Sequence, residues 1–282
     1  MNVHLARQSY GKSNVRLTKV IRHPDRHDLV ELAIDIVLEG DFSESYLVGD
    51  NRRVVATDTM KNTVYALAAD HPLTDPESFA LALARHFVDR NVHVSAATVS
   101  AQQTAWQRIA TLSGPHRHAF VGGGSQRRTC QVRCTRDATT VQAGIVGLPL
   151  LKTTDSAFRD FVRDEFTTLP DVDDRIFATL LDAQWTYAAG AGDWNAAYDK
   201  IMAAMVGVFA EHQSLAVQQT LFAMGQAALQ AVAAVTTIDL AMPNQHRIPV
   251  NLAPFGKPNR NEIFVMTSEP YGLITATVAR GD

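Results

Sequence analysis

The stretch Val54 to Tyr65, VVATDTMKNTVY, gathers a hydroxyl, a carboxylate, an amine and an amide around what reads as a helix start. Val54, Val55 and Ala56 form a short apolar run, as at the end of a buried strand. Thr57, Asp58 and Thr59 follow, and their side-chain oxygens suit a helix N-cap. Lys61 and Asn62 come next, before the apolar helical residues Val64, Tyr65 and Leu67. A helix N-terminus favours anions through its dipole and its unpaired amides. Such a stretch can hold an anion and present polar groups to it. A well-capped helix after a strand is the plainer alternative.

Other residues carry chemistry in the same conditional way. Lys12, in Tyr10-Gly11-Lys12, is ordinarily solvent-facing, but a lysine becomes a base when burial or a nearby cation lowers its pKa. Arg175 follows Asp173 and Asp174, so a local ion pair competes with a free, planar donor fork. Phe158 reads as core, Gln218 as an exposed helical residue, and Asn244 and His246 as parts of a Pro-Asn turn. His23 and His27 flank a turn and invite a metal, yet no third ligand is near them in sequence. Cys130 and Cys134 stand four apart in a strand-like segment, without zinc spacing, and read as two free buried thiols. Gly122-Gly123-Gly124 lacks the P-loop and dinucleotide patterns, and reads as a bulge or turn in a long hairpin. No H-E-x-x-H or haem C-x-x-C-H pattern is present.

The elements that must position these residues follow from periodicity. The chain has 282 residues, 46% hydrophobic and 20% charged, with net charge −3, so an ordinary globular composition with a sizeable core is expected. That balance gives no reason to expect a nucleic-acid or membrane partner. Residues 8 to 20 and Leu29 to Leu38 read as two strands around the His23–His27 turn, the second alternating cleanly. Thr74 to Glu77 reads as a capping box with Pro76 in the first turn, opening a helix with the stripe Phe79, Leu83, Phe87. Strands return near Val92 to Val99 and His118 to Val121. The second half repeats this order. It has strands at 131–133, 141–151 and 176–187, then two helices capped by Asp193 and Ser214, then strands at 235–240, 263–265 and 273–278. This predicts an α+β fold of two tandem units, residues 1–136 and 137–282, each an antiparallel four-stranded sheet with helices on one face. Open sheet edges invite pairing with another chain.

Taken together, VVATDTMKNTVY, YGKSNVR, GDFSESYLVGDN, FVRDEFTTLPDVDDRIFATLLDAQW, AVQQTLF and MPNQH resemble the urate oxidase (uricase) family, in order and over nearly the whole length. The resemblance implies the tunnelling fold (T-fold), with a barrel formed in a homotetramer and active sites at subunit interfaces. It implies a cofactor-independent, metal-free oxidation of urate by O2 to 5-hydroxyisourate and hydrogen peroxide. On that pattern Lys12 and Thr57 form a catalytic dyad, and His246 completes the proton relay. Arg175 and Gln218 grip the purine edge, with a backbone contact from Val217. Phe158 stacks on the ring with Leu169 nearby. Asp58 contributes a backbone N–H or supports the site, and Asn244 with Thr57 holds dioxygen or water. Pro170, before the Arg175 motif, departs from the family and bears on loop shape. The C-terminal Ala-Arg-Gly-Asp is not the peroxisomal address of eukaryotic relatives, so a bacterial cytoplasmic location is expected. Arg280-Gly281-Asp282 reads as a chance adhesion motif. The alternatives are a non-catalytic purine- or pterin-binding oligomer, or a pterin-pathway enzyme of the same fold.

Overall fold

The computed structural model describes residues 3–281. In chain order the elements are β1 (Tyr10–Arg22), β2 (His27–Gly40), α1 (Ser43–Val48), α2 (Thr57–Asp70), α3 (Pro76–Arg90), β3 (Val94–Thr111), β4 (Gly114–Thr135), β5 (Thr139–Lys152), β6 (Phe177–Tyr187), α4 (Trp194–Glu211), α5 (Val217–Ala231), β7 (Val235–Asn244), β8 (Arg247–Pro249), β9 (Phe264–Met266) and β10 (Gly272–Ala279). The fold is α+β with antiparallel pairing. Contacts divide the chain into two compact units. One takes the chain up to Gly144 with Thr186–Asn195, and the other takes Ile145–Trp185 with the chain from Ala196 onward. The boundary expected near residue 136 falls in the turn between β4 and β5.

In the first unit β1, β2, β3 and β4 pair in sequence order. Strict alternation along β2 buries Leu32, Ile34, Ile36 and Leu38 on one face. The stripe Phe79, Leu83 and Phe87 of α3 and Met60 and Val64 of α2 are buried as well. Gly11 lets β1 approach β2, since a Cβ there would meet the Ile36 carbonyl oxygen at 1.8 Å. The glycine run in β4 does sit at a register shift against β3, between Thr104 and Trp106. Cys130 and Cys134 are free and buried.

In the second unit β7 pairs antiparallel with β10. Val217, Leu221, Met224 and Ala228 form the buried stripe of α5. Gly225 allows the close approach, because a Cβ would meet Val278 Cγ2 at 2.7 Å. Trp185, Ile201 and Met205 complete the interior of this unit.

Three local expectations are corrected, and one helix is added to them. Val54 to Ala56 is not a strand but a loop, whose Val55 N–H donates to the Tyr10 hydroxyl at 2.7 Å instead of to a neighbouring strand. The short α1 was not foreseen. Asp75, not Thr74, caps α3 by accepting from the Ser78 N–H at 2.7 Å, with Pro76 at the start. Ser214 does not cap α5, whose N-cap is Ala216. Glu77 is therefore no capping partner. It is fully buried and bonds Arg128 at 2.8 Å, and Arg128 also bonds Asn195 at 2.6 Å. Burial outweighs Arg128 and raises the Glu77 pKa. Folding therefore gains from this group at low pH and gives up that gain as pH rises through the raised value. Glu77→Ala leaves Arg128 uncompensated and is expected to cost about 3–5 kcal/mol in denaturant melts. Glu77→Gln should lose less, and an Ala variant within about 1 kcal/mol of the parent would show the pair is not a stability determinant.

Candidate active site

In the first unit, Lys12 on β1 and Thr57 and Asp58 at the start of α2 form one group. Thr57 is the first helical residue, after Ala56 as N-cap, and no side chain caps this helix. The amides of the first turn therefore lack helical partners. Asp58 does not serve as the cap. It takes bonds from Lys61 and from Asn62, the latter at 3.0 Å. Its pKa is held below the ordinary value by the Lys61 bond first, and in smaller part by the charge of Lys12. Lys12 is half-buried. Tyr10 links the two elements: its hydroxyl accepts the Val55 N–H at 2.7 Å. Its ring packs edge-on against Phe42, with centroids 4.7 Å apart. Thus the strand carrying Lys12 holds the loop that leads to Thr57. Sequence periodicity gave no sign of this role for Tyr10.

In the second unit, backbone bonds gather the remaining residues. Ala157 N–H donates to Ser214 O at 2.7 Å, and Ser214 N–H to Asp155 O at 2.9 Å, which sets the Phe158 segment beside the entry to α5. Arg175 N–H donates to Ser156 O at 2.7 Å, and Phe158 and Val172 exchange two backbone bonds. The expected Pro-Asn turn is instead the end of β7, where Pro243 and Asn244 pair with Leu273 and Gly272 of β10, and Gln245 N–H donates to Ala178 O at 2.8 Å, so this end of β7 lies against the strand that follows Arg175. Val217 is the buried first residue of α5, and Gln218 follows it, exposed. This helix also starts at an alanine without a side-chain cap. Gln219 reaches back to the Leu215 N–H at 3.0 Å, which leaves the amides of Val217 to Gln219 outside that bond.

Arg175 decides between its two readings. Its neighbouring carboxylates are engaged elsewhere: Asp173 pairs with Arg159, and Asp174 accepts from Thr154 at 2.9 Å. Among the described residues no ion pair is formed by Arg175. Its guanidinium instead lies 5.3 Å from the centre of the Phe158 ring. Burial pulls its pKa below the usual value. A half-buried cation without a counter-charge, beside an aromatic face, fits a planar anion. Phe158 is backed by Phe161, stacked at 4.9 Å and 10°, a partner unremarked in the sequence. Leu169 is 50% exposed and its carbonyl accepts from Arg163 at 3.1 Å. His23 bonds Asp28, and among the described residues no three metal-ligating groups converge.

A family model described as Uricase matches residues 8–133 and 141–275. The uricase of Arthrobacter globiformis is 42% identical over 278 residues, covering 99% of this chain and 90% of its own. The uricase of Schizosaccharomyces pombe is 35% identical, with 96% of each chain covered. The crystal structure of the Arthrobacter globiformis uricase superposes with a TM-score of 0.95, covering 99% of this chain and 96% of that one.

The uncapped start of α5 can be tested directly. Ala216→Asp supplies an acceptor for the first-turn amides and is expected to stabilise the protein by about 1 kcal/mol in denaturant melts. An unchanged midpoint would mean those amides already have partners.

Proposed function

The chain belongs to the uricase family, and from that premise we infer how its residues divide the work of a urate oxidase. Its fold is that of the solved uricases, and it is an oxidoreductase acting on urate. The observation that carries the rest is Arg175, half-buried, without an ion pair among the described residues, and poised over Phe158. Urate is planar, anionic and edged with carbonyl and N–H groups. The guanidinium fork and the Gln218 amide read its edge, Phe158 stacks on its face, and the Val217 amide at the uncapped helix start adds a donor.

Lys12 and Thr57 form the proton relay in this reading. Lys12 takes a proton from the substrate through the Thr57 hydroxyl, and His246 completes the relay. Asn244 and Thr57 hold dioxygen or water above the ring, and an Asp58 backbone N–H supports the site. The electron-rich urate anion then gives two electrons to dioxygen, which takes two protons and leaves as hydrogen peroxide. Water adds its oxygen at C5 of the purine, giving 5-hydroxyisourate, so that urate, O2 and water balance against the two products. The protein supplies orientation and proton transfer, with no resident metal or organic cofactor. The protein works as a homotetramer in which the Thr57 side and the Arg175 side of each site come from different subunits. Open sheet edges support that reading, since they call for pairing.

The test follows the ultraviolet absorbance of urate, in air, with chelator-treated protein and with Lys12→Met beside it. Absorbance is expected to fall with peroxide released, and the variant to be slower by roughly a hundredfold or more. Urate that binds without spectral change would make the protein a binder and overturn the relay.

A further inference from the structure

A one-residue irregularity in β1 decides where Lys12 points. Tyr10, Gly11 and Lys12 pair with Leu38, Val37 and Ile36 of β2, but Val15 then pairs with Ile34. The step from Lys12 to Val15 is thus one residue longer than the step it faces, which is a β-bulge. Residues opposite one another across an antiparallel pair project to the same face. Val15, Ile34 and Ile36 are all buried on the face against which the helices pack, whereas Val37, on the other face, is 39% exposed. Lys12 faces Ile36 and so shares the buried face with α2. In an unbroken strand it would lie an odd step from Val15 and project to the opposite face.

The bulge has its own support. Asn14 sits in the left-handed region at φ 56°, which asparagine tolerates better than most residues. Its N–H donates to Asp35 Oδ1 at 2.6 Å, and its own Oδ1 accepts from Arg16 Nε at 3.1 Å. The second unit contains a similar contact, a left-handed strand residue whose N–H is held by a carboxylate. Gly147 stands at φ 68°, and its N–H donates to Asp182 Oδ1 at 2.7 Å. There the residue corresponding to Lys12 is Ile145, which is buried and has no proton to exchange. The left-handed residue held by a carboxylate thus occurs twice, and only in the first unit does an ionisable side chain stand two residues before it.

We propose that Asp35 is a positioning residue for the proton relay: by holding the Asn14 amide it fixes the bulge that turns Lys12 to the helix side of the sheet, towards Thr57. The proposal rests on the reading of Lys12 as the base. Asp35 itself projects to the other face of β2, with Ala33 and Val37, so it acts through Lys12 and not on urate.

The test compares wild type, Asp35→Ala, Asp35→Asn, Lys12→Met and the double variant Asp35→Ala/Lys12→Met. The readouts are kcat and KM for urate and the inhibition constant of xanthine, which reports ring recognition alone. Asp35→Ala is expected to lower kcat roughly ten- to a hundredfold, since a small misplacement of a catalytic group has that effect. KM and the xanthine constant should stay within about twofold, because recognition belongs to Arg175, Phe158 and Gln218. Asp35→Asn keeps an acceptor oxygen and should recover most of kcat. In the Lys12→Met background, removing Asp35 should change kcat no further. An unimpaired Asp35→Ala beside a slow Lys12→Met overturns this proposal and leaves the base assignment standing. An additive loss in the double variant, or an equal loss in Asp182→Ala, would mark general sheet loosening and also overturn it. A fully active Lys12→Met removes the base assignment and the proposal with it.

Discussion

The structure turns on two helix starts that the chain leaves unfinished. The first amides of any α-helix need partners from outside it. Helix α3 obtains one from Asp75. Helices α2 and α5 begin after Ala56 and Ala216, whose methyl side chains accept no hydrogen bond. Besides their buried faces, both are bonded at the opposite end. Lys19 Nζ reaches the C-terminal carbonyls of α2, at 2.7 Å from Ala68 O and from His71 O. Arg280 does the same for α5, bonding the carbonyls of Leu229 and Val232 and, through Nε, that of Val235 at 2.9 Å. Cations at helix C-termini are favourable through the dipole and through direct bonds. The helices are thus secured where no chemistry occurs, and their N-terminal dipoles stay available for an anion. Arg280 begins the Arg280-Gly281-Asp282 motif, whose Asp282 lies outside the described residues. Its arginine has this structural use.

The two units share parts and differ in what those parts carry. Each has a helix that starts at an uncapped alanine, and each has a left-handed strand residue whose N–H is held by a carboxylate. In the first unit these place Thr57 and Lys12, a hydroxyl and an amine suited to moving protons. In the second the helix start carries Val217 and Gln218, with the Phe158 segment brought in by the bonds of Asp155 and Ala157 to Ser214, and Arg175 by its bond to Ser156. On this reading the base and hydroxyl of the relay come from one copy of the architecture, and ring recognition, together with Asn244 and His246, comes from the other.

Much of the frame was legible because its signals are local. Alternation from Val30 to Leu38 reports directly which residues β2 buries, and the four-residue stripes of α3 and α5 report their inner faces. Caps were read less well. Thr57 to Thr59, Thr74 and Ser214 all have suitable side chains, but a cap is fixed by where the backbone enters the helix, and a shift of one or two residues changes its identity. Arg175 was the reverse case. Two adjacent carboxylates argue for an ion pair, yet both turn to partners that only folding brings near, Arg159 for Asp173 and Thr154 for Asp174. The bulge that orients Lys12 left no trace in the pattern, since one extra residue among polar side chains does not disturb it. The roles of Lys12, Thr57, Asn244 and His246 came from family resemblance, because none of these residues is unusual for its place in the chain.

The most direct measurement of this division of labour is complementation between subunits. Lys12→Met and Arg175→Gln are each made, purified as inactive homo-oligomers, and then co-expressed in equal amounts. If each site takes its relay from one subunit and its guanidinium from another, random mixing leaves about a quarter of the sites with both intact, and urate oxidation returns to roughly that fraction. Co-expressed protein as inactive as either parent would contradict the account, because each site would then draw both groups from a single chain.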